Sequence, residues 1–173
     1  MRELLELLCC LALALLLRLY VVSFMRVRGS SMRSTLHNGD FGLVWRLPYL
    51  LGKPRRGDVV ICHYPGRRMR RIKWLPQAFV KRVIGLPGET VEIIEGVVHI
   101  DGAPLQEPYL DPDCCRYARS SPARILDKDE YFVLGDNRDH SNDSRYVGPI
   151  RRRAVRGRVV CILWPLRHGR RVR

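Results

Sequence analysis

The 173-residue sequence predicts a mostly β protein, in which one N-terminal transmembrane helix precedes a coiled antiparallel sheet or partial barrel. Three observations support this fold class: an apolar run near the N-terminus, a series of short β-branched segments after Asp40, and weak helical periodicity beyond the apolar run. We therefore expect an anchor at residues 1–26 and a β-rich domain at residues 27–173.

The apolar run, residues 7–25, is interrupted by Arg18, Ser23 and the amphipathic Tyr20. About 20 apolar residues cross a bilayer as an α-helix, so the run is long enough to span it. A cleaved signal peptide is the competing interpretation, but the run exceeds the usual length and no Ala-x-Ala-like site closes it. We interpret it as a retained anchor. Positive charge does not fix its orientation, because long domains translocate largely regardless of charge.

Six segments have the composition of strands, and each is bounded by Gly, Pro or Asp. They are residues 41–45, 57–64, 79–86, 89–102, 130–136 and 158–165. The fourth segment predicts a hairpin, with Glu95-Gly96 as its turn and Asp101-Gly102 turning out of its second strand. The basic stretch at 66–71, GRRMRR, is interpreted as a solvated or headgroup-facing turn.

The net charge of +14 is compatible with a nucleic-acid partner, with an anionic membrane surface, or with solubility alone. The basic residues are 27 Arg and only four Lys, at positions 53, 73, 81 and 128. Arg does not lose its proton in a protein whereas a buried Lys can, so each Lys deserves a chemical explanation. The cysteines show no zinc-binding spacing, and the adjacent Cys114 and Cys115 leave the redox compartment open.

Residue spacing excludes a calcium site, and no motif supports a Ser-His-Asp triad. The acidic loop DNRDHSND would place Ser144 where a calcium loop needs Gly and Ile150 where it needs a bidentate Glu, so we expect no metal and no cofactor. A Ser-His-Asp triad has five histidines to draw on, but none lies in a motif that favours this role.

A serine-lysine pair is the third candidate. The segment VRGSSMRSTL at 27–36 brings paired hydroxyls and small residues directly after the apolar run. In FVKRVIGL, strand alternation puts Lys81 on the same face as Phe79 and Val83, with Arg82 on the other face. If that face is buried, desolvation lowers the pKa of the lysine and leaves an amine that accepts a proton from a serine. Seen alone, this stretch is more typical of a lysine that extends from an edge strand than of a buried base.

Five segments together resemble the signature blocks of bacterial type I signal peptidases, in the short form without a large accessory domain. They are GSSMRSTLHNGD, GDVV, KRVIGLPGE, VHIDGAPLQEPYL and GDNRDHSNDSRYVGPI, in this order after one anchor. The resemblance covers most of the chain between Gly29 and Ile150 and implies a mostly β, membrane-associated fold of the signal peptidase type.

The resemblance also implies the roles of individual residues. Ser31, the serine before Met32, matches the nucleophile, Lys81 the general base, and Ser141 a serine that orients the lysine amine. The acidic and basic positions that support the site by ion pairing are Asp136 with Arg82, and Asp143 with Arg145.

Other positions of the match are less direct. Some relatives have an oxyanion-binding serine where this chain has Gly29, so backbone N–H groups around Ser31 are expected to take that role. Ser30 stands beside the nucleophile, and Met32 and Val80 are the candidates for lining a substrate pocket.

Two departures accompany the match. Ser34 stands where the family usually has Pro, which loosens one turn position of the nucleophile loop without removing a reacting group. His140 stands where Asn is common, beside the expected lysine partner.

The implied function is a membrane-bound serine endopeptidase that removes signal peptides from exported precursors and cuts after small residues of the Ala-x-Ala type. The expected partners are these precursors and membrane lipid, with no nucleic acid, and the expected form is a monomer whose catalytic domain lies outside the cytoplasm. A self-cleaving Ser-Lys repressor is one alternative, which the anchor and the GDNRD block disfavour. The other is a basic, membrane-tethered protein that binds nucleic acid or lipid without peptidase activity.

Overall fold

The computed structural model describes residues 2–16, 20–68, 76–117 and 119–172. Its α-helices are α1 (Arg2–Leu16), α2 (Pro48–Leu51) and α3 (Ser144–Val147). Its strands are β1 (Val22–Arg26), β2 (Phe41–Trp45), β3 (Val59–Arg68), β4 (Pro76–Gly85), β5 (Thr90–Ile94), β6 (Val97–Ile100), β7 (Ala103–Pro104), β8 (Ser121–Ile125), β9 (Glu130–Leu134), β10 (Ile150–Arg151), β11 (Val155–Trp164) and β12 (Arg170–Arg171). The prediction of a mostly β domain is therefore confirmed.

Two sheets contain these strands. The larger has eight strands in the order β1-β2-β11-β3-β4-β9-β10, with β12 paired to β11, and the smaller has the order β7-β6-β5-β8. All the pairings in both sheets are antiparallel among the described strands. The predicted strand at 41–45 matches β2, whereas the short strands β7, β8, β10 and β12 were not among the predicted segments.

The central strands β3 and β4 are covered on both faces. Val60 and Cys62 pair with Lys81 and Phe79, and this face packs in a cluster that also contains Val83. On the other face, the alternate β3 residue Val59 packs against Met32 and Leu36 of the 27–36 segment. Since both faces are covered here, the consecutive side chains of Lys81, Arg82, Val83 and Ile84 are all buried.

The predicted hairpin is confirmed in the smaller sheet. Glu95 and Gly96 have φ values of 47° and 82°, and Asp101 and Gly102 repeat the pattern with 50° and 83°. Positive φ at two consecutive residues matches the right-handed twist of flanking strands, which is why Gly follows an acidic residue at both turns. The second turn directs the chain into β7 and from there towards the larger sheet.

The N-terminal segment differs from its prediction. Residues Val22–Arg26, which were assigned to the anchor, form β1 and pair with all five residues of β2. Side chains alternate along this strand, with Phe24 exposed and Met25 buried, because only one face of the strand packs against the core. Within the described ranges, no helix has the length and apolarity needed to cross a membrane. Arg18 and residues 69–71 of the basic turn lie outside the described residues.

Candidate active site

The loop at residues 27–36 carries the predicted nucleophile Ser31 and is therefore named the nucleophile loop. It is fixed at both ends by buried apolar side chains. Val27 begins it with a backbone hydrogen bond to the Asp40 carbonyl at 2.8 Å, and Leu36 closes it with a bond to the Met32 carbonyl at 2.6 Å. All three apolar side chains, those of Val27, Met32 and Leu36, belong to one core cluster. The loop therefore presents Ser31 from a rigid base, half-buried, while Ser30 is exposed.

Gly29 allows the chain to enter this loop. Its φ is +99°, a value that residues with a Cβ rarely adopt, and its N–H donates to Asn38 Oδ1 at 3.0 Å. Gly29 has no side-chain hydroxyl that could donate a hydrogen bond to an oxyanion. The conformation shows why Gly suits the position.

Lys81 lies in the middle of β4, and its side chain is only 2% exposed. Its Nζ donates a hydrogen bond to Ser141 Oγ at 3.0 Å. The edge-strand interpretation is wrong, because β4 is paired on both sides, with β3 and with β9. The structure thus brings together Lys81 and the serine that the family resemblance assigns as its partner.

Burial lowers the pKa of the Lys81 ammonium from its ordinary value of 10.5. Asp143, Cys62 and Asp136 oppose this effect, and the nearby Arg145 reinforces it. Because desolvation is the largest cause, a larger fraction of the amine is neutral at a given pH than in a solvated lysine. A neutral amine has a lone pair and can act as a base.

Gly135 is the point where the nucleophile loop meets the lysine partner. A Cβ on Gly135 would collide with both the Ser31 carbonyl oxygen and Ser141 Oγ, so these two atoms are close neighbours above the same residue. Asn137 fixes the loop from the same side: its N–H donates to the Ser31 carbonyl at 3.0 Å and its Nδ2 to the Ser30 carbonyl at 3.1 Å.

The first predicted ion pair is buried beneath this site. Arg82 donates from Nε and from one terminal nitrogen to Asp136 at 2.9 and 2.7 Å, and each side chain of the pair is 1% exposed. Thr35 donates a hydrogen bond to the same carboxylate and accepts one from Arg82 at 3.0 Å. Two charges this deep are tolerated because nearly every donor and acceptor has a partner.

The second predicted ion pair holds the loop that carries Ser141. Arg145 donates to Asp143 at 2.8 and 2.9 Å, and Asp143 also accepts the Gly135 N–H at 3.0 Å. Asp143 is the N-cap of α3, where its side chain accepts from the backbone of Arg145. Both pairs therefore act on the backbone at Gly135 and Asp136, between Lys81 and Ser31.

The two candidate pocket residues lie in different surroundings. Met32 is 2% exposed and packs in the core cluster of the nucleophile loop. Val80 is partly exposed and packs against the edge of the same cluster. In this state Val80 is the more accessible of the two, and the assignment of both to a substrate pocket stays a prediction.

Sequence reasoning missed several residues that shape the site. They are Thr35, Glu107, Tyr109, Gly135, Asn137 and Arg138. All stand inside the segments that carried the family resemblance, but single-sequence reasoning has no signal for a contact between residues about a hundred positions apart. The only sequence feature that could have pointed to these residues is a polar residue inside one of these segments.

One family model and several known proteins match this chain over most of its length. A profile of the family described as "Signal peptidase, peptidase S26" matches residues 1–164. Signal peptidase I of Leptolyngbya laminosa is 39% identical over 156 residues, which cover 89% of this chain and 74% of that protein. Probable signal peptidase I-1 of Synechocystis sp. is 39% identical over 160 residues, 92% of this chain and 80% of its own length.

More distant relatives include signal peptidase I of Bacillus licheniformis, 32% identical over 168 residues, which cover 92% of this chain and 86% of that protein. A crystal structure of a signal peptidase I from Enterococcus faecalis is 32% identical and has a TM-score of 0.49, covering 61% of this chain and 96% of that one.

Proposed function

The chain belongs to the signal peptidase family, peptidase S26, and from this membership we propose a membrane-bound enzyme that works by a Ser31–Lys81 dyad. As a member it is a serine endopeptidase that removes signal peptides. The observation that carries the dyad is the buried Lys81, hydrogen-bonded to Ser141 beside the Ser31 backbone at Gly135. The alternatives of a basic binding protein and of a self-cleaving repressor are left without support.

In the proposed reaction Ser31 Oγ attacks the carbonyl carbon of the scissile bond, and Lys81 takes the hydroxyl proton. Lys81 then gives a proton to the leaving amine, so that the mature protein departs and an acyl-enzyme remains. The same amine next takes a proton from a water molecule that attacks the acyl carbon, which releases the signal peptide and restores Ser31. The hydrogen bond between Lys81 and Ser141 keeps the amine in one orientation throughout.

The negative charge that develops on the carbonyl oxygen needs fixed donors. We assign this role to the backbone N–H of Ser31, which has no acceptor among the residues that the structure describes. Gly29 offers no hydroxyl, so backbone donors carry the stabilisation. Ser30 is exposed and hydrogen-bonds only through its carbonyl in the described contacts, which is why we assign the reaction to Ser31.

The proposed substrates are exported precursor proteins with small residues at the first and third positions before the cut. An extended peptide pairs with an exposed strand edge, and its alternate side chains then enter shallow pockets. We assign the walls of these pockets to Met32 and Val80. Small pockets bind Ala-sized groups and exclude larger ones by overlap, which is the physical source of the expected specificity.

The proposed location is the outer face of the cell membrane, with the residues before Val22 attaching a monomeric catalytic domain that begins with β1. Apart from Arg2, Glu3 and Glu6 near its start, α1 consists of exposed apolar residues, a surface that water does not favour and lipid does. Attachment at this end keeps Ser31, which follows β1 by a short loop, close in sequence to the attaching segment. A precursor still held by its signal peptide presents its cleavage site near the membrane surface.

The test compares wild type with Ser31→Ala, Lys81→Arg and Ser30→Ala on a precursor peptide with an Ala-x-Ala cleavage site, in detergent. We expect Ser31→Ala and Lys81→Arg to lose at least about a thousandfold in kcat/KM, because Arg keeps the charge but cannot accept a proton. Ser30→Ala is the matched control and keeps most activity. If folded Lys81→Arg cleaves at the wild-type rate, the dyad is wrong.

A further inference from the structure

A short segment from the smaller sheet reaches the site and touches it at two places. This segment, residues 105–110, which we call the strap, follows β7 and makes few backbone hydrogen bonds, such as Leu105 N–H to the Val98 carbonyl at 2.8 Å. Its position depends mainly on its side chains. Two of them, those of Glu107 and Tyr109, bind arginines that belong to the site.

The first contact is between Tyr109 and Arg82. The guanidinium carbon of Arg82 lies 3.8 Å from the centre of the Tyr109 ring, so the ring covers the cation that pairs with Asp136. Such a contact is strongest where water is excluded. The Tyr109 hydroxyl donates to Glu107 at 2.5 Å, which fixes the ring in its plane.

The second contact is between Glu107 and Arg138. Their side chains are 7% and 6% exposed, and Arg138 donates to both carboxylate oxygens, with a distance of 3.0 Å to Oε2. Burial alone would lower the pKa of Arg138, but the Glu107 carboxylate raises it, so Arg138 remains a cation here. Arg138 Nε in turn donates to the Gly135 carbonyl at 3.2 Å.

We propose that Tyr109 and Glu107 are positioning residues, which set the separation between nucleophile and base through Arg82 and Arg138. Arg82 follows Lys81 in β4, and Gly135 contacts both Ser31 and Ser141. The strap thus contacts the dyad from two sides. Tyr109 reaches Lys81 through the adjacent Arg82, and Glu107 reaches Ser31 through Arg138 and Gly135. This inference rests on the proposed function, since it assigns the strap a role in the Ser31–Lys81 geometry.

The electrostatics give this role a signature that a purely structural role lacks. The charged and titratable groups around Lys81 are Asp136, Asp143, Arg145 and, from β3, Cys62. If the Tyr109 ring is lost, Arg82 is held less firmly against Asp136. Its positive charge then offsets the negative charge of the Asp136 carboxylate less completely. A carboxylate whose charge is offset less raises the pKa of Lys81, so the acid limb of the activity profile moves to higher pH.

The experiment measures kcat, KM and the pH profile of full-length Tyr109→Leu, Tyr109→Phe and Glu107→Gln on an Ala-x-Ala peptide. Tyr109→Leu removes the ring and the hydroxyl, and we expect kcat to fall about 10- to 100-fold with little change in KM, because a small misplacement of reacting groups is costly. Tyr109→Phe keeps the ring over Arg82, so its acid limb stays at the wild-type pH. Tyr117→Leu, at a tyrosine that is 64% exposed, is the matched control.

Several outcomes would overturn the proposal. It is wrong if folded Tyr109→Leu has the kcat and acid limb of wild type, or if its activity falls only in proportion to its unfolded fraction while the limb stays in place. If Tyr109→Leu does not fold, Glu107→Gln decides, since wild-type kcat in that variant also excludes the role. Lys81→Arg runs in parallel: cleavage by that variant would refute the dyad, whereas a dead Lys81→Arg beside a normal Tyr109→Leu refutes the strap alone.

Discussion

Lys81 illustrates how the position of one side chain changes its chemistry. The same amine on the surface would be a permanent cation near neutral pH, but β4 carries it into the interior and pairs it with a serine hydroxyl. The penalty for burying its charge is what makes the neutral base available. Arg82, one residue later, is equally buried but has a different partner, because it donates hydrogen bonds to both oxygens of Asp136.

The first prediction concerns the pH dependence of cleavage. In the proposed mechanism activity requires neutral Lys81, and burial lowers its pKa below 10.5, so kcat/KM should rise with pH along a limb whose midpoint lies below 10.5. The measurement is kcat/KM against pH for wild type, with circular dichroism at each pH to exclude unfolding. A profile that is flat, or that falls as pH rises while the protein stays folded, would contradict Lys81 as the base.

The second prediction concerns stability. Below the lowered folded pKa, native Lys81 carries a buried charge at full cost, and this cost fades as pH rises towards 10.5, where the unfolded lysine also becomes neutral. Lys81→Met removes the amine, so we expect it to be inactive yet more stable by about 1–3 kcal/mol at about pH 5. Urea unfolding at several pH values measures this.

The stability gain of Lys81→Met should shrink as the pH is raised. Lys128→Met is the control, since Lys128 is exposed and its substitution should change little at any pH. A Lys81→Met variant that is less stable than wild type at every pH would show that the hydrogen bond to Ser141 outweighs the desolvation of the amine.

At the scale of elements, the nucleophile loop contains an unfavourable feature of its own. Ser34 stands where the family usually has Pro, and its hydroxyl oxygen is buried with no hydrogen-bond partner among the described residues. A buried hydroxyl without a partner costs free energy, which Pro at this position would not incur. The departure therefore has a physical consequence beyond a looser turn.

The third prediction follows from this hydroxyl. Ser34→Ala should raise the free energy of unfolding by about 1 kcal/mol, because it deletes an unsatisfied group and leaves the loop backbone unchanged. Ser30→Ala, in the same loop but exposed, should stay within about 0.5 kcal/mol of wild type. Urea unfolding compares the two, and a destabilised Ser34→Ala would mean that the hydroxyl has a favourable contact in solution.

The fourth prediction concerns the crossing at Gly135. A methyl group there would overlap Ser141 Oγ and the Ser31 carbonyl, so Gly135→Ala must push apart Ser31 and Ser141, the hydrogen-bond partner of Lys81. We expect kcat to fall about 100-fold and stability to fall by about 1–3 kcal/mol. The assays are peptide cleavage and urea unfolding.

Gly102→Ala separates the two effects of that substitution. Gly102 has a φ of +83° and open space around it, so Ala there costs about 1 kcal/mol through the backbone and leaves the site untouched. Full activity in Gly102→Ala beside a large loss in Gly135→Ala is the expected result. Equal activity in the two variants would refute the crowding at Gly135.

The sequence predicted the elements whose signal is local. Alternation and turn chemistry identified β2 and the β5–β6 hairpin, because side-chain period and positive-φ turns depend on neighbouring residues. The strand β1 was missed because its apolar residues continue the apolar run, and only pairing with β2 distinguishes the two. The contact between Tyr109 and Arg82 was equally invisible, since nothing local to either residue specifies it.

The whole molecule combines an exposed apolar helix with a basic β domain. α1 has no buried residue, so the domain offers it no packing surface. Strand β1, in contrast, contributes Met25 to the core cluster that also fixes the nucleophile loop. Residues Val22–Arg26 therefore belong to the β domain, and the proposed anchor ends before Val22. A truncation that keeps the domain intact has to begin before this residue.

The fifth prediction compares two truncations. A form that begins at Val21 keeps β1, and we expect it to fold, to stay in solution without detergent, and to cleave a short Ala-x-Ala peptide within about threefold of full-length kcat/KM. A form that begins at Val27 loses β1, exposes the edge of β2 and leaves a gap where Met25 packs, so it should lose roughly 2–5 kcal/mol of stability.

The membrane role is tested with the longer form on two substrates. On a precursor held in vesicles, the Val21 form should be much slower than full-length protein, because attachment to the same membrane raises the effective concentration of enzyme and substrate. On the short peptide the two should remain comparable. If the Val21 form cleaves the vesicle-bound precursor as fast as full-length protein does, residues before Val21 are dispensable for reaching it and the anchor has no role in cleavage. If it also fails on the peptide while folded, those residues take part in the site itself.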